Sequence, residues 1–263
     1  FIGLLEKKHM KISLGWITRK RSAQFVYSVC SFIQNARQPQ LLELLFSIDD
    51  DDDESEKAIK DMWPFINLSG CRVIIIKSKR MGYQNMDKYH RNAGRRFTGD
   101  CFLMASDDVI CFTDGWDDII RNAVKPHLDE PCLIQTNPVE DRHKFWPTFP
   151  GITRKWWDVT KNIMIYTAGD GYLHEITEEL KLRRIRPNYE VHQLSRNAIR
   201  QGDNWTEPDA TQLEGRGYEG SENRRGSKDD DGIHTRARDV ENLTKWKNGE
   251  DNYSWPKEDT YQQ

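Results

Sequence analysis

Cys101-Phe-Leu-Met-Ala-Ser-Asp-Asp-Val-Ile-Cys-Phe112 reads as a buried strand that runs into two adjacent carboxylates, Asp107 and Asp108. Carboxylates are costly to desolvate, so a pair at the end of an apolar strand needs a physical reason. A divalent cation carrying phosphates supplies one, because hard oxygen ligands suit Mg2+ or Mn2+. The bland alternative is two acids that cap a turn. Gly99-Asp100 precedes the strand and Asp114-Gly115-Trp116-Asp117 follows it.

Working outward from this block, strands and helices alternate. Residues 11–17 read as a strand and residues 18–22, Thr-Arg-Lys-Arg-Ser, as the loop after it. Residues 23–35 carry Phe25, Val26, Val29, Cys30, Phe32 and Ile33 at helical spacing, with Ser22 as N-cap. Residues 44–48 form a second strand that ends in Asp49-Asp-Asp-Asp-Asp-Glu54, and residues 55–63 a helix. Residues 72–77, Arg-Val-Ile-Ile-Ile-Lys, are apolar enough for a strand buried on both faces. Residues 84–97 and 116–128 read as helices and 132–136 as a further strand; Asp117 and Asp118 fall in the first turn of their helix, where they suit its dipole. The expected fold class is α/β with a mainly parallel sheet flanked by helices. Ligands of such sheets bind beyond the carboxyl ends of the strands. The loop at 18–21, the run at 49–53 and the pair at 107–108 each follow a strand, so they are expected to meet at one edge.

The second half is less regular. Residues 146–157 are aromatic-rich and broken by prolines, and Trp146, Phe149, Trp156 and Trp157 divide between core packing and stacking on a ligand. Gly169-Asp-Gly-Tyr-Leu173 opens a helix, and His192 closes a short strand. From Gly202 the chain is polar and cannot bury much apolar surface by itself. The expected division is a domain over residues 1–201 and a polar tail over 202–263, partly disordered, lid-like or ordered only against the body.

Bulk properties exclude several classes. The 263 residues are 37% hydrophobic and 31% charged with a net charge of −3, which makes no electrostatic case for nucleic acid or an anionic membrane surface. No apolar run is long enough to span a membrane. The opening Phe-Ile-Gly-Leu-Leu is not a convincing signal peptide, and the chain as given need not carry its native N-terminus. Five cysteines without CxxC spacing favour core packing in a reducing compartment. A cytoplasmic or membrane-peripheral location follows, and the Asn-x-Ser/Thr triplets at Asn204 and Asn242 are read as chance matches.

Gly82-Tyr-Gln-Asn-Met-Asp-Lys-Tyr-His-Arg-Asn92-Ala, Gly99-Asp100, Met104-Ala-Ser-Asp-Asp-Val109 and Gly115-Trp116-Asp117 together resemble the pattern of family 2-type GT-A glycosyltransferases, over residues 12–192. That resemblance implies a Rossmann-like GT-A sheet, Mn2+ or Mg2+ as cofactor, and a nucleoside diphosphate sugar, expected to be uridine-based, as donor. The acceptor would be a hydroxyl of a glycan, lipid or protein, and transfer would invert the anomeric centre. Asp108 becomes the expected metal ligand, Asp107 a contact to the ribose or the metal, and His192 a further metal ligand. Asp50, with Asp49 beside it, would accept a hydrogen bond from the base. Thr18 and Arg19 would line the base and ribose pocket, Arg21 would reach a phosphate, and Tyr83 and Asn92 belong to the donor side. Asp170 would be the general base, with Glu175 and Asp158 as lesser candidates. One departure stands out: Ser106 occupies the first acidic position of the motif.

Plainer readings stand beside these. The acidic run at 49–53 is also what a solvated loop looks like, although it lacks the glycine and distal glutamate of an EF-hand. Asp170 serves equally as a helix N-cap, and a lone histidine such as His192 as a structural one. Two rival functions share the α/β pattern. A sugar-phosphate nucleotidyltransferase would carry a glycine-rich loop after the first strand, where this chain has Trp16-Ile-Thr-Arg-Lys-Arg21. A GT-A-like module that binds nucleotide or glycan without turnover is the other.

Overall fold

A computed structural model describes residues 9–82, 85–138, 149–164, 169–193 and 230–255. β1 (Ile12–Ile17), β2 (Leu42–Asp49), β3 (Arg72–Ser78) and β4 (Cys101–Met104) form a parallel block in the order β3-β2-β1-β4. β8 (Gly151–Thr153) continues the sheet antiparallel to β4, followed by β6 (Leu133–Ile134) and β9 (Arg184–Ile185). A second, small sheet pairs β10 (Glu190–Gln193) with β5 (Val109–Cys111) and β7 (Asn137–Pro138). The helices are α1 (Ser22–Gln34), α2 (Asp53–Ser69), α3 (Met86–Gly94), α4 (Trp116–Val124), α5 (Arg154–Thr160), α6 (Gly169–Glu179) and α7 (Asp230–Lys247). The architecture is the expected α/β sheet between helical layers.

Period-two alternation sends the strand side chains to opposite faces. Ile12, Leu14, Trp16, Leu44, Phe46 and Leu103 join α1, α2 and α4 in one core. Leu45, Phe102 and Met104 join Trp156, Trp157, Leu173 and Leu243 of α5, α6 and α7 in the other. Close approach requires glycine at two places. A Cβ on Gly15 would lie 2.4 Å from the Phe102 ring, and one on Gly99 would lie 2.5 Å from Ser13 Oγ. Gly99-Asp100 thus serves as a register device: Asp100 Oδ2 accepts from the Lys11 amide at 2.8 Å, and the Asp100 amide donates to the Lys11 carbonyl at 2.8 Å.

Several local expectations change. Residues 72–77 are not buried on both faces. Among the described residues β3 is the sheet's edge, paired only with β2, and within the strand only Ile76 is buried while Ile75 stays exposed. The helix expected over 55–63 runs on to Ser69 through Pro64, because Ile66 docks in the core, and it closes at Gly70 in the left-handed region. Ser22 is the first residue of α1 rather than its cap; Arg21 is the N-cap residue, with no side-chain cap, and the Ser22 hydroxyl donates to Glu54. The helix expected over 116–128 ends at Val124, since Pro126 has no N–H to continue it, and a 3-10 turn follows.

Part of the polar tail belongs to the body. Leu243 on α7 is completely buried, and Asp239 accepts from the Tyr172 hydroxyl of α6 and from Asn162 Nδ2 at 3.0 Å. Asn242 is buried as well, its amide donating to the carbonyls of Val159 and Ser254, a placement unsuited to a glycan acceptor. The tail residues 202–229 lie outside the described residues, as does Trp146. Trp156 and Trp157 are core, and Phe149 is partly buried against it. All five cysteines are free. No helix among the described residues is long and apolar enough to cross a membrane.

The Gly115-Trp116-Asp117 turn is scaffold. Gly115 takes a φ of +70°, the Trp116 indole donates to the Phe32 carbonyl at 2.8 Å, and buried Asp117 accepts from the amides of Arg37 (2.8 Å) and Gln38 (2.9 Å) and from Arg121 (2.6 Å). Burial pushes the Asp117 carboxyl up, but these donors outweigh it and hold the group below its ordinary value. Asp117→Asn should therefore destabilise the protein by about 3 kcal/mol in chemical denaturation. A carboxylate with a lowered folded pKa stabilises above its unfolded value of about 4 and loses that contribution as pH falls through the folded value. The wild-type advantage over the variant should therefore shrink in acid. Leu243→Ala should cost about 2–4 kcal/mol if α7 is part of the domain's core, against no measurable change for a detached tail.

Candidate active site

The carboxyl ends of β1, β2 and β4 bring the three polar loops together. The Thr18 amide extends the β1–β2 pairing by donating to the Ser47 carbonyl at 3.2 Å. Lys20 then takes a φ of +52°, reversing the chain so that its two flanking arginines reach opposite neighbours. Arg19 turns toward β2, with Nη1 3.0 Å from Asp49 Oδ2 and both terminal nitrogens on the Asp51 carboxylate. Arg21 turns toward β4, with Nη1 2.7 Å from Asp107 Oδ1. The Thr18 hydroxyl donates to Asp107 Oδ2 at 3.0 Å, so each oxygen of this buried carboxylate has a protein donor.

Asp108 is also buried, and the Ser106 hydroxyl donates to its Oδ1. The backbone of that loop is anchored from the core. The Trp16 indole donates to Ser28 Oγ at 2.9 Å, and Ser28 Oγ donates to the Ser106 carbonyl at 2.9 Å. Ser106, read from sequence as a missing acid, thus braces the acid that remains.

On the β2 side the acidic run divides by role. Asp49 is buried and takes the Tyr89 hydroxyl on its second oxygen, while that hydroxyl accepts from the Met81 amide at 2.9 Å. Burial pushes the Asp49 carboxyl up against the opposing effects of Tyr89 and Arg19. Burial and Asp49 together push the Tyr89 phenol well above its ordinary range, so it is a neutral donor at physiological pH. Asp50 is exposed, Asp51 is held below the ordinary range by Arg19, and Asp52 caps α2 through the Ser55 amide. Asp50 is thus presented to solvent, as are Asp53 and the Arg19-paired Asp51, while Asp49 is engaged internally.

The remaining predicted residues fall as follows. Asn92 is half-buried on α3, which packs against β1 and β2. His192 lies on β10 opposite Ile110, two residues beyond Asp108, with its ring edge-on to exposed Phe112 at 4.8 Å. Asp170 is the second residue of α6, but its side chain lies outside the described residues, as does Tyr83. Glu175 is exposed and faces Arg236 at 3.8 Å, and Asp158 pairs with Lys161. Among the described residues no group of three His, Cys, Asp or Glu side chains is gathered to hold a metal ion. Asp108 still suits Mg2+ or Mn2+, which take one or two protein carboxylates and complete their shell with water and phosphate oxygens. Sequence reasoning missed Tyr89 and Ser28. The spacing of Tyr89 and Ala93 marks the inward face of α3 and points to the first; the second carries no local signal.

No model of a known protein family and no curated protein sequence matches the chain. Solved structures do. Residues 1–349 of Staphylococcus aureus TarS superpose with a TM-score of 0.51 at 14% identity, over 73% of this chain and 63% of that one. The same protein in complex with UDP-GlcNAc gives 0.51 at 15% identity, over 69% and 58%. The mannosyltransferase PcManGT from Pyrobaculum calidifontis, in complex with GDP-Man and Mn2+, gives 0.56 at 13% identity, over 72% and 58%. The chain thus spans about three fifths of the length of the structures it matches. At these identities the likeness is one of fold, and the chain has the α/β fold of GT-A glycosyltransferases.

Proposed function

We propose that the chain is a metal-dependent glycosyltransferase that moves a sugar from a nucleoside diphosphate sugar, with uridine as the expected base, to a hydroxyl acceptor with inversion. The observation that carries this reading is the convergence of Thr18–Arg21, Asp49–Asp52 and Ser106–Asp108 at one carboxyl edge of a GT-A sheet. Solved proteins of that fold hold GDP-Man with Mn2+, or UDP-GlcNAc. Exposed Asp50 would accept from the base, with Thr18 and Arg19 lining the pocket and Tyr83 and Asn92 on the donor side. When bound, a divalent cation neutralises charge that develops on the leaving diphosphate; Asp108 and His192 would hold it.

Asp170, at the start of α6, would take the acceptor hydroxyl's proton. The freed oxygen bonds to the anomeric carbon on the face opposite the diphosphate, and the carbon–oxygen bond to the diphosphate breaks with its electron pair leaving on the nucleotide. The donor sugar and the acceptor, a glycan, lipid or protein, are open within this reading, and the site would work on the cytoplasmic side.

Calorimetric titration of UDP should show tighter binding with Mn2+ than with a chelator, and Asp108→Ala should abolish that metal-dependent gain. Binding indifferent to both metal and Asp108 would remove the donor-site assignment. With a donor sugar identified by screening UDP, GDP, CDP and dTDP sugars, Asp170→Asn should keep UDP affinity and lower transfer by about a hundredfold or more. Unchanged transfer would sink its role as base.

A further inference from the structure

Arg21 is bound through only part of its guanidinium. Nη1 pairs with Asp107 Oδ1 at 2.7 Å, and the side chain is 12% exposed. An arginine carries five N–H donors in a planar fork. Among the described residues Nε and Nη2 have no hydrogen-bond partner. The guanidinium is part-buried and neither nitrogen is sealed off from solvent, so both stay available to a ligand that accepts hydrogen bonds. Each oxygen of its partner Asp107 already accepts from a protein donor, from Arg21 on one and from Thr18 at 3.0 Å on the other. Arg21 also stands at the N-cap of α1, where no side chain caps the helix and the first N–H groups face the same carboxyl edge.

We propose that Asp107 is a positioning residue for Arg21 and not a metal ligand, and that Arg21 binds the donor's diphosphate directly through its remaining nitrogens. Carboxylate, guanidinium and phosphate then stack in series, in the way that a carboxylate, a metal ion and a phosphate would. Arg21 neutralises one of the loop's two carboxylates, which leaves Asp108 as the charge that draws a cation. Part of the donor affinity is therefore independent of metal. The planar fork matters, because lysine presents a point charge that cannot hold Asp107 and a phosphate in fixed geometry. This inference rests on the nucleotide-sugar reading above.

The test is titration of UDP, uridine and inorganic pyrophosphate into the full chain, in EDTA and in Mn2+. The variants are Arg21→Lys, Asp107→Asn and Arg21→Ala/Asp107→Ala, each checked by thermal melting. The double variant removes both charges, so neither is left buried alone. Wild type should bind UDP in EDTA, and Arg21→Lys and the double variant should each lose about tenfold or more of that affinity. Pyrophosphate should follow UDP, uridine should be unaffected, and Asp107→Asn should weaken UDP while leaving the Mn2+-dependent gain intact. Wild-type binding that vanishes in EDTA but returns in Mn2+ would overturn the proposal, as would variants that bind UDP in EDTA like wild type. Either result would leave the donor-site reading standing. A wild type that binds no nucleoside diphosphate under either condition would overturn both.

Discussion

β1 is hydrogen-bonded in parallel on both sides, with Ile12 level with Leu42 on β2 and with Cys101 on β4. Parallel pairing brings the carboxyl ends of the three strands to one edge, and a slip of one residue would send every side chain to the wrong face. The Gly99-Asp100 turn holds that register from below through Lys11 and Ser13. Above, the same register sets Thr18 within reach of Asp107 and lets Arg19 and Arg21 straddle the strand. The polar site is thus a consequence of how the apolar strands pair.

Burying these carboxylates is feasible because each has protein donors. Asp49 is served from α3 and the β1 loop, Asp107 from Thr18 and Arg21 of the β1 loop, and Asp117 from the turn after α1 and from α4. A carboxylate in this position without such donors would protonate or unfold its loop. The arrangement separates acids that hold the fold, such as Asp117 and Asp52, from Asp50, which faces solvent, and Asp108, whose loop is braced through Ser106 and Ser28 to the indole of Trp16. α7 does comparable work at the other face, where Asp239 and Leu243 close the core over α5 and α6.

Much of this was legible along the chain. The alternation of apolar strands with helices of 3.6-residue period located β1 to β4, α1, α3 and α4 to within a few residues, since period and burial are local properties of a sequence. The run Cys101 to Asp108 announced a strand ending in acids, and it is one. The edge position of β3 was not legible, because an isoleucine run looks the same at a sheet's edge as at its centre. The full length of α2 was not legible for a related reason: the helix runs on through Pro64 with Ile66 packed in the core, and packing is not local.

The sequence by itself determined the fold class and which loops would meet, since strand order of this kind follows from crossover connections between successive strands. Only the tertiary structure decided what each charged side chain does. Neighbours separated by 30 residues, as Arg19 and Asp49 are, or by 86, as Arg21 and Asp107 are, choose one another through backbone placement. Five successive aspartates at 49–53 are identical in composition, yet Asp49 and Asp52 are buried while Asp50, Asp51 and Asp53 are exposed. Burial and the donors available at each position separate them, and both are properties of the assembled chain.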